Sequence, residues 1–238
     1  MRILILTGAG ISAESGIATF RGADGLWEGH RPEDVATPQA FARDPALVQR
    51  FYNERRRKLQ SPEIQPNAAH RSLAEFEAKH YAESRNDEFL LVTQNIDDLH
   101  QRAGSQNVLP MHGELLKIQC ELCKEVIEWT NDLDPYQTHD STSKDEDCPG
   151  RLRPNVVWFG EMPIGLSRID RAARQADVFL TIGTSGLVYP AAGIVQSTPP
   201  NCQRVEINLD DTPVSMEFGE VIRGKASEEV PRFLRSLA

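Results

Sequence analysis

The sequence predicts an α/β protein with a doubly wound parallel sheet and a second, smaller domain built from two insertions. Three apolar runs are typical of strands that helices cover on both faces, namely Arg2–Leu6, Phe89–Thr93 and Val178–Ile182. Arg204–Ile207 is the last clear core strand. Segments with helical periodicity separate them, as in βαβ units. We therefore expect six or seven parallel strands with helices on both faces.

The two insertions define the expected smaller domain. We assign residues 1–29, 67–116 and 156–238 to the large domain, and residues 30–66 and 117–155 to the smaller one. Thr37 and Asp44 each precede a proline. A capping side chain followed by proline at the first helical position marks a helix start. The second of these helices should run from Pro45 to about Leu59.

The first strand leads directly into a glycine-rich turn, Thr7-Gly8-Ala9-Gly10. Glycines let a ligand approach the main chain closely, and the N–H groups that open the following helix point at an anion. Gly-x-Gly is a weak signal alone, but its position after a strand favours a phosphate-binding turn. Further glycines at 16, 22, 25 and 29 exclude an ordinary crossover helix over residues 10–24. They predict a long loop that covers a ligand.

The side chains of this loop suit two roles. Thr19, Arg21 and Asp24 are placed to face a pyrophosphate and a ribose. Phe20 and Trp27 are placed to shield a reacting bond from water, although both can instead anchor the loop in the core.

Polar side chains follow two neighbouring strands where each strand ends. Gln94, Asn95 and Asp97 come after the second strand, and His112 follows a short strand at Val108–Met111. In open α/β sheets ligands bind at the carboxyl ends of the strands. The histidine is a candidate general base, because its ordinary pKa lies near neutrality. Asn95 also has a second interpretation, as the N-cap of a helix over residues 96–102.

A possible carboxylate receptor lies on the helix that begins at Pro45. Tyr52 and Arg55 are three residues apart, so a phenol and a guanidinium share one helix face. A guanidinium forks onto a carboxylate, and the hydroxyl adds a third donor. The neighbouring cations Arg56, Arg57 and Lys58 are expected to form a solvated face.

Three cysteines suggest a metal site with an incomplete pattern. Cys120 and Cys123 form Cys-x-x-Cys, half of a zinc ribbon whose second pair is expected about 15–20 residues further on. The chain offers Cys148 followed by Arg151, which cannot bind zinc because it stays protonated. Two possibilities stay open. The first is a three-cysteine site completed by Asp145, Asp147 or His139. The second is a lost site held by packing of Leu122, Val126, Ile127 and Trp129, and Cys202 lies far away in sequence.

Composition limits the function classes. The net charge of −9 disfavours a nucleic-acid surface and mildly favours basic, lysine-bearing partners. No apolar run approaches the ~20 residues of a membrane span, and the opening core strand leaves no room for a signal peptide. Four cysteines suit a reducing cytoplasm. We expect a cytoplasmic monomer without nucleic-acid or membrane partners.

Five motifs, in the same order and over nearly the whole chain, resemble those of the sirtuins, the NAD-dependent protein deacylases. They are Gly8–Ile17 with Thr19–Gly22, Thr93–Asp97, His112–Glu114, Val157–Glu161 and Gly183–Ser185. The resemblance implies a Rossmann-like large domain and NAD consumed as a co-substrate. The residues it implies at the NAD site are Gly8, Ala9, Gly10, Ala13, Glu14, Thr19, Phe20, Arg21, Trp27, Gln94, Asn95, Ile96, Asp97, Gly183, Thr184, Ser185, Asn208, Leu209, Asp210 and Ala226.

The resemblance also implies the catalytic and substrate residues. Asn95 and Asp97 belong to the nicotinamide pocket, and His112 is the catalytic base. Val157, Phe159 and Glu161 flank acyl-lysine on the substrate protein or peptide. The Phe-Tyr-x-x-Arg-Arg pattern with Tyr52 and Arg55 is similar to members that remove succinyl, malonyl or glutaryl groups, and Ala36 sits where a small residue widens the acyl pocket. The zinc pattern of the family is broken at Arg151.

The implied reaction transfers the acyl group to ADP-ribose. The acyl oxygen attacks C1′ of the nicotinamide ribose, and His112 then takes a proton from the ribose hydroxyls. The products are free lysine, nicotinamide and O-acyl-ADP-ribose. Protein ADP-ribosylation is the main alternative, since it also cleaves NAD. A dehydrogenase or a non-catalytic NAD sensor agrees less well with the glycine-broken loop and the Asn95–Asp97–His112 set.

Overall fold

The computed structural model describes residues 1–19, 27–83, 88–141 and 148–237. Within this part of the chain, nine strands form two sheets. The strands are β1 Arg2–Thr7, β2 Glu88–Thr93, β3 Val108–Pro110, β4 Gly113–Cys120, β5 Val126–Glu128, β6 Leu152–Val156, β7 Val178–Ile182, β8 Gln203–Asn208 and β9 Glu220–Arg223.

The larger sheet confirms the predicted fold class. Its six strands are all parallel, in the order β3-β2-β1-β7-β8-β9. Strand β1 lies at the centre, with Ile5 paired to Leu91 on one side and Leu180 on the other. This order places the carboxyl ends of β1, β2, β7 and β8 side by side.

Helices cover both faces of the parallel sheet. The described part of the chain contains eight α-helices, not all of which lie on this sheet. They are α1 Ala9–Ala13, α2 Pro32–Val35, α3 Pro38–Arg43, α4 Pro45–Leu59, α5 Ala68–Glu83, α6 Leu99–Ala103, α7 Leu166–Gln175 and α8 Ala226–Leu237. The alternation along β1 sends Ile3 and Ile5 toward α5 and α8, and Leu4 and Leu6 toward α7. Every described helix is too short or too polar to span a bilayer.

Helix starts follow the predicted capping in the first insertion. The Thr37 hydroxyl accepts from the Ala40 N–H at 3.0 Å, and the Asp44 carboxylate accepts from the Leu47 N–H at 2.9 Å. The alternative that Asn95 caps a helix is wrong. Helix α6 begins at Leu99, with Asp98 at the N-cap position. The Asn95 side chain instead donates to the Gly8 carbonyl and the Ser12 hydroxyl.

The second sheet is antiparallel and packs beside α2–α4. Its strand order is β5-β4-β6. Strand β4 runs from Gly113 to Cys120 and therefore passes through residue 116, one of the expected domain limits. The residue limits of the two domains stay a prediction. The expectation of a solvated basic run on α4 is wrong for Arg56, which is fully buried. Its guanidinium donates to the Leu115 carbonyl at 3.1 Å and to the Asn53 side chain at 2.7 Å.

Candidate active site

A cleft of about 830 Å³ opens at the carboxyl ends of the parallel strands, between them and the smaller sheet with its helices. Every residue predicted for catalysis, nucleotide binding or substrate binding lines it, as far as the structure describes those residues. Phe20 and Arg21, and Asp24 from the same loop, lie outside the described residues. Trp27 lines the cleft and packs edge-on against Phe51, with ring centroids 4.8 Å apart, so it anchors the loop, and its role in shielding a reacting bond stays a prediction.

The glycine turn packs directly against the end of β7. A Cβ atom on Gly10 would lie 2.7 Å from Gly183 Cα, and one on Gly8 would lie 2.8 Å from Thr184 Cα. Gly183 has φ +60°, a region that favours glycine. The expectation that the N–H groups here are free is wrong for Gly10, which donates to the Gly183 carbonyl at 2.8 Å. These glycines are therefore required for backbone contact between two strand ends.

A buried polar chain lies beneath this turn. The Asn95 amide donates to the Gly8 carbonyl at 3.1 Å and to the Ser12 hydroxyl at 3.0 Å. Ser12 in turn donates to the Asp97 carboxylate at 2.9 Å. Burial raises the pKa of Asp97 to about 6, against the opposing effect of its hydrogen bonds. Sequence reasoning missed Ser12, whose only signal is its place one helical turn after Gly8.

His112 presents one ring nitrogen to the cleft. Its Nδ1 lies 3.0 Å from the Gln94 carbonyl, and a carbonyl only accepts, so Nδ1 carries the proton. Nε2 is left as an acceptor in the neutral ring. Burial lowers the pKa of His112 below its ordinary value, although the Gln94 hydrogen bond opposes this. The imidazole is therefore unprotonated at neutral pH, as a general base must be.

Tyr52 and Arg55 meet at the inner wall of the cleft. The Tyr52 oxygen accepts from Trp158 Nε1 at 3.0 Å. In the described part of the chain the Tyr52 hydroxyl has no acceptor for its own proton, so it can donate to a ligand. Burial raises the pKa of Tyr52, so it stays neutral. The Arg55 guanidinium lies 3.2 Å from the Phe51 ring centroid, and its Nη1 donates to the Phe51 carbonyl at 2.7 Å. Its buried Nε has no hydrogen-bond partner in the described part of the chain.

The residues expected to flank acyl-lysine lie at the mouth of the cleft. The Phe159 N–H donates to the Ala36 carbonyl at 3.0 Å, and the Val157 N–H donates to the His112 carbonyl at 2.9 Å. Glu161 binds the Arg153 guanidinium at 2.6 and 2.9 Å and accepts from the Trp158 N–H. The Glu161 carboxylate therefore holds this segment in place, beside its predicted role.

The far end of the cleft joins the ends of β2, β7 and β8. Gln94 donates to the Thr184 hydroxyl at 2.9 Å, and Asn208 donates to the Thr184 carbonyl at 2.7 Å. Glu14 accepts from the Ser227 N–H at 3.1 Å at the start of α8. Leu209 and Asp210 are exposed at the rim. This end has the polar lining that a ribose or an adenine needs.

A separate cluster lies in the smaller sheet. Cys120, Cys123, Cys148 and His139 bring their ligand atoms within 4.8 Å of one another. Two of the separations, Cys120 Sγ to Cys148 Sγ and Cys123 Sγ to His139 Nδ1, are 3.6 Å. Ligands of a tetrahedral zinc–thiolate site are about 3.8 Å apart, given Zn–S bonds of about 2.3 Å.

One of the predicted candidates for the fourth ligand, His139, lies beside the cysteines. His139 Nδ1 faces the sulfurs, and its Nε2 lies 3.0 Å from the Glu125 carboxylate. A carboxylate on the second ring nitrogen is the usual support for a zinc-bound histidine. Asp145 and Asp147 lie outside the described residues. The packing alternative is weakened because Leu122 and Val126 are exposed.

Comparison with known proteins gives consistent matches. Residues 8–190 match the model of the Sir2 family. The chain is 64% identical over 234 residues to a Rhodopirellula baltica protein named NAD-dependent protein deacylase, with 98% of each chain covered. It is similar to a solved Sir2 homolog–NAD complex (41% identity, TM-score 0.84, 99% of this chain and 90% of that chain). It is also similar to a structure described as Sir2 bound to acetylated peptide (29% identity, TM-score 0.78, 98% and 92% covered).

Proposed function

Because this chain belongs to the Sir2 family, we propose that it is an NAD-dependent protein-lysine deacylase that releases nicotinamide, free lysine and O-acyl-ADP-ribose. The observation that carries the proposal is the single cleft that His112, Asn95 and Asp97 share with the glycine turn. Its relatives support NAD as the nucleotide, since a similar structure holds NAD and a 64% identical protein is named for NAD-dependent deacylation.

We propose a task for each polar residue of the cleft. NAD supplies the activated bond between ribose and nicotinamide whose cleavage drives the transfer. His112 accepts a proton from a ribose hydroxyl at Nε2, while its bond to Gln94 keeps Nδ1 protonated. Asn95 and Asp97 form the nicotinamide pocket, and Ser12 fixes both side chains by bonding to each. Burial of this set excludes water that would hydrolyse the nucleotide.

We also propose that the enzyme removes acidic acyl groups such as succinyl as well as acetyl. The support is the pair at the inner wall. A buried acyl carboxylate needs a cation and further hydrogen bonds to offset its desolvation. Arg55 provides the charge, and Tyr52 provides a neutral hydroxyl donor. Ala36 leaves space beside them.

We propose that Cys120, Cys123, Cys148 and His139 hold a structural Zn²⁺. Closed sites of this composition stabilise small antiparallel modules and take no part in chemistry. Arg151, at the position of the missing cysteine, instead binds the Glu121 carboxylate at 2.8 Å, and its guanidinium lies 4.2 Å from the Phe41 ring centroid. Its role is therefore to fasten the module to α3.

The remaining expectations stay part of the proposal. The four cysteines form no disulfide, which supports a reducing compartment such as the cytoplasm. The net charge of −9 supports lysine-bearing proteins or peptides as partners rather than nucleic acid. A monomer without membrane contact is part of the same proposal. The domain limits given above belong here as well.

One incubation tests the activity. The protein is mixed with NAD and an acetyl- or succinyl-lysine peptide, and the products are weighed by mass spectrometry. We expect free lysine peptide, nicotinamide and O-acyl-ADP-ribose in equal amounts. A peptide or protein that gains the mass of ADP-ribose while its acyl group stays in place would establish the ADP-ribosyltransferase alternative instead.

A further inference from the structure

We infer that Glu28 is a specificity-determining residue, an internal carboxylate that competes with an acidic acyl group for Arg55. This inference rests on the proposed deacylase function and concerns the same cleft. Glu28 Oε2 lies 3.9 Å from Arg55 Nη2, and Glu28 lines the cleft with Arg55 and Tyr52. The protein therefore already places one negative charge where the acyl carboxylate would add another.

The guanidinium edge at issue is defined by the hydrogen bonds of Arg55. Nη1 is occupied by the Phe51 carbonyl. Nε is buried and has no partner among the described residues, so Nη2, which faces Glu28, is the donor left for a ligand in the cleft. An acyl carboxylate that binds Arg55 must therefore approach Nη2 against the charge of Glu28.

Glu28 is fixed in place by a tight turn. Trp27 and His30 exchange both backbone hydrogen bonds, at 2.8 and 3.1 Å. The two residues between them have positive φ, +49° for Glu28 and +81° for Gly29, as in the two-residue turns that favour glycine in second place. The turn holds the Glu28 side chain over α4, where a longer loop would let it turn into solvent.

Lys58 sets how strongly Glu28 competes. Its ammonium lies 3.1 Å from Glu28 Oε1, one helical turn after Arg55. The carboxylate is thus shared between two cations, and the shorter contact is with Lys58. When an acyl carboxylate arrives, Glu28 keeps a counter-charge at Lys58 while it gives up Arg55. Without Lys58, the negative charge of Glu28 would be left to Arg55 alone.

The test compares kcat/KM for succinyl- and acetyl-lysine peptides in matched variants. Glu28→Gln removes the competing charge and should raise the ratio of kcat/KM for the succinyl peptide to kcat/KM for the acetyl peptide. The expected rise is about two- to six-fold, as for the loss of a partly exposed ion pair. It should come mainly from a lower KM for the succinyl peptide. Glu54→Gln is the control. It removes the same charge from the residue next to Arg55, but Glu54 is exposed and lies outside the cleft lining, so the ratio should stay at the wild-type value.

Lys58→Met completes the experiment as a double-mutant cycle. It should lower the ratio when Glu28 is present and have little effect in the Glu28→Gln background, because Lys58 acts through Glu28. Equal ratios in wild type and Glu28→Gln, or equal shifts in Glu28→Gln and Glu54→Gln, would overturn the inference. If the wild-type protein deacylates neither peptide, the proposed function is wrong instead.

Discussion

Replacing Arg55 by Met gives the sharpest test of the acyl pocket. The methionine retains an apolar chain of similar length beside Phe51 and removes the guanidinium. The wild-type side chain is 11% exposed, so its charge interacts with a bound carboxylate through a largely water-free space. An acetyl group carries no carboxylate and gains nothing from this charge.

The magnitude follows from the hydrogen bonds that are available. A succinyl carboxylate can accept from Nη2 of Arg55, and Tyr52 can add a neutral bond. Hydrogen bonds to charged groups contribute about 1.5–3 kcal/mol each. Competition from Glu28 and the desolvation of the acyl carboxylate offset part of this energy, so we expect kcat/KM for succinyl-lysine to fall on the order of 10- to 100-fold. Activity on acetyl-lysine should stay close to wild type or rise.

The assay measures initial rates on both peptides, and the ratio of the two kcat/KM values is the decisive quantity. Arg57→Met is a matched control on the same helix, because Arg57 pairs with Asp132 at the surface and lies outside the cleft lining. A folding defect lowers both activities together. If Arg55→Met loses both substrates in proportion while Arg57→Met loses neither, Arg55 is structural and the acidic-acyl proposal fails.

Three further predictions concern the base, the metal and the core. His112→Ala should cut deacylation about 10²–10⁴-fold, the usual contribution of a positioned acid–base group, without a change in melting temperature; turnover within about threefold of wild type would remove His112 from the mechanism. Purified protein should contain one zinc per chain, and both a chelator and His139→Ala should lower its melting temperature, whereas metal-free protein of unchanged stability would show that packing alone holds the module. Burial lowers the pKa of His70 to about 4. His70 therefore binds its proton less readily in the native than in the unfolded state, and this group alone should contribute about 2 kcal/mol to a fall in the unfolding free energy from pH 7 to pH 5. His70→Gln should lessen that fall in urea titrations, and an equal fall in the two proteins would contradict the assignment.

The cleft was predictable because its residues follow strands whose positions are marked by continuous apolar runs. Parallel strands share one carboxyl edge, so residues near 8, 95, 112, 184 and 208 had to meet there. The helix starts at Thr37 and Asp44 were equally visible, since capping and proline act within four residues. Each of these inferences needs only the local sequence or the parallel direction of the strands.

The errors arose where a local pattern has two physical outcomes. Arg56 lies in a basic run, and nothing in that run predicts that its guanidinium donates to the buried Leu115 carbonyl. Asn95 has the chemistry of a helix cap, but its amide binds Ser12 and Gly8, which are more than eighty residues away in sequence. His139 was one of three possible ligands, and the backbone pairing of its segment with Cys148, Gly150 and Leu152 brings it to the cysteines. Tertiary contacts decide such cases.

The buried polar residues of α4 explain why the smaller sheet and the acyl pocket belong to one unit. Gln49 donates to the Leu152 carbonyl at 3.1 Å, and Asn53 donates to the Leu133 carbonyl at 3.0 Å. With Arg56 these residues fasten one face of the helix to backbone groups of the second insertion, while Tyr52 and Arg55 face the cleft. An unpaired buried carbonyl is costly, so the helix cannot rotate to re-aim Arg55 without breaking these bonds. The cysteine–histidine cluster lies beside these bonds, because Cys120 is paired with Leu152 across β4 and β6. The module thus orients the two residues that we propose to select the acyl group, although none of its described residues lines the cleft.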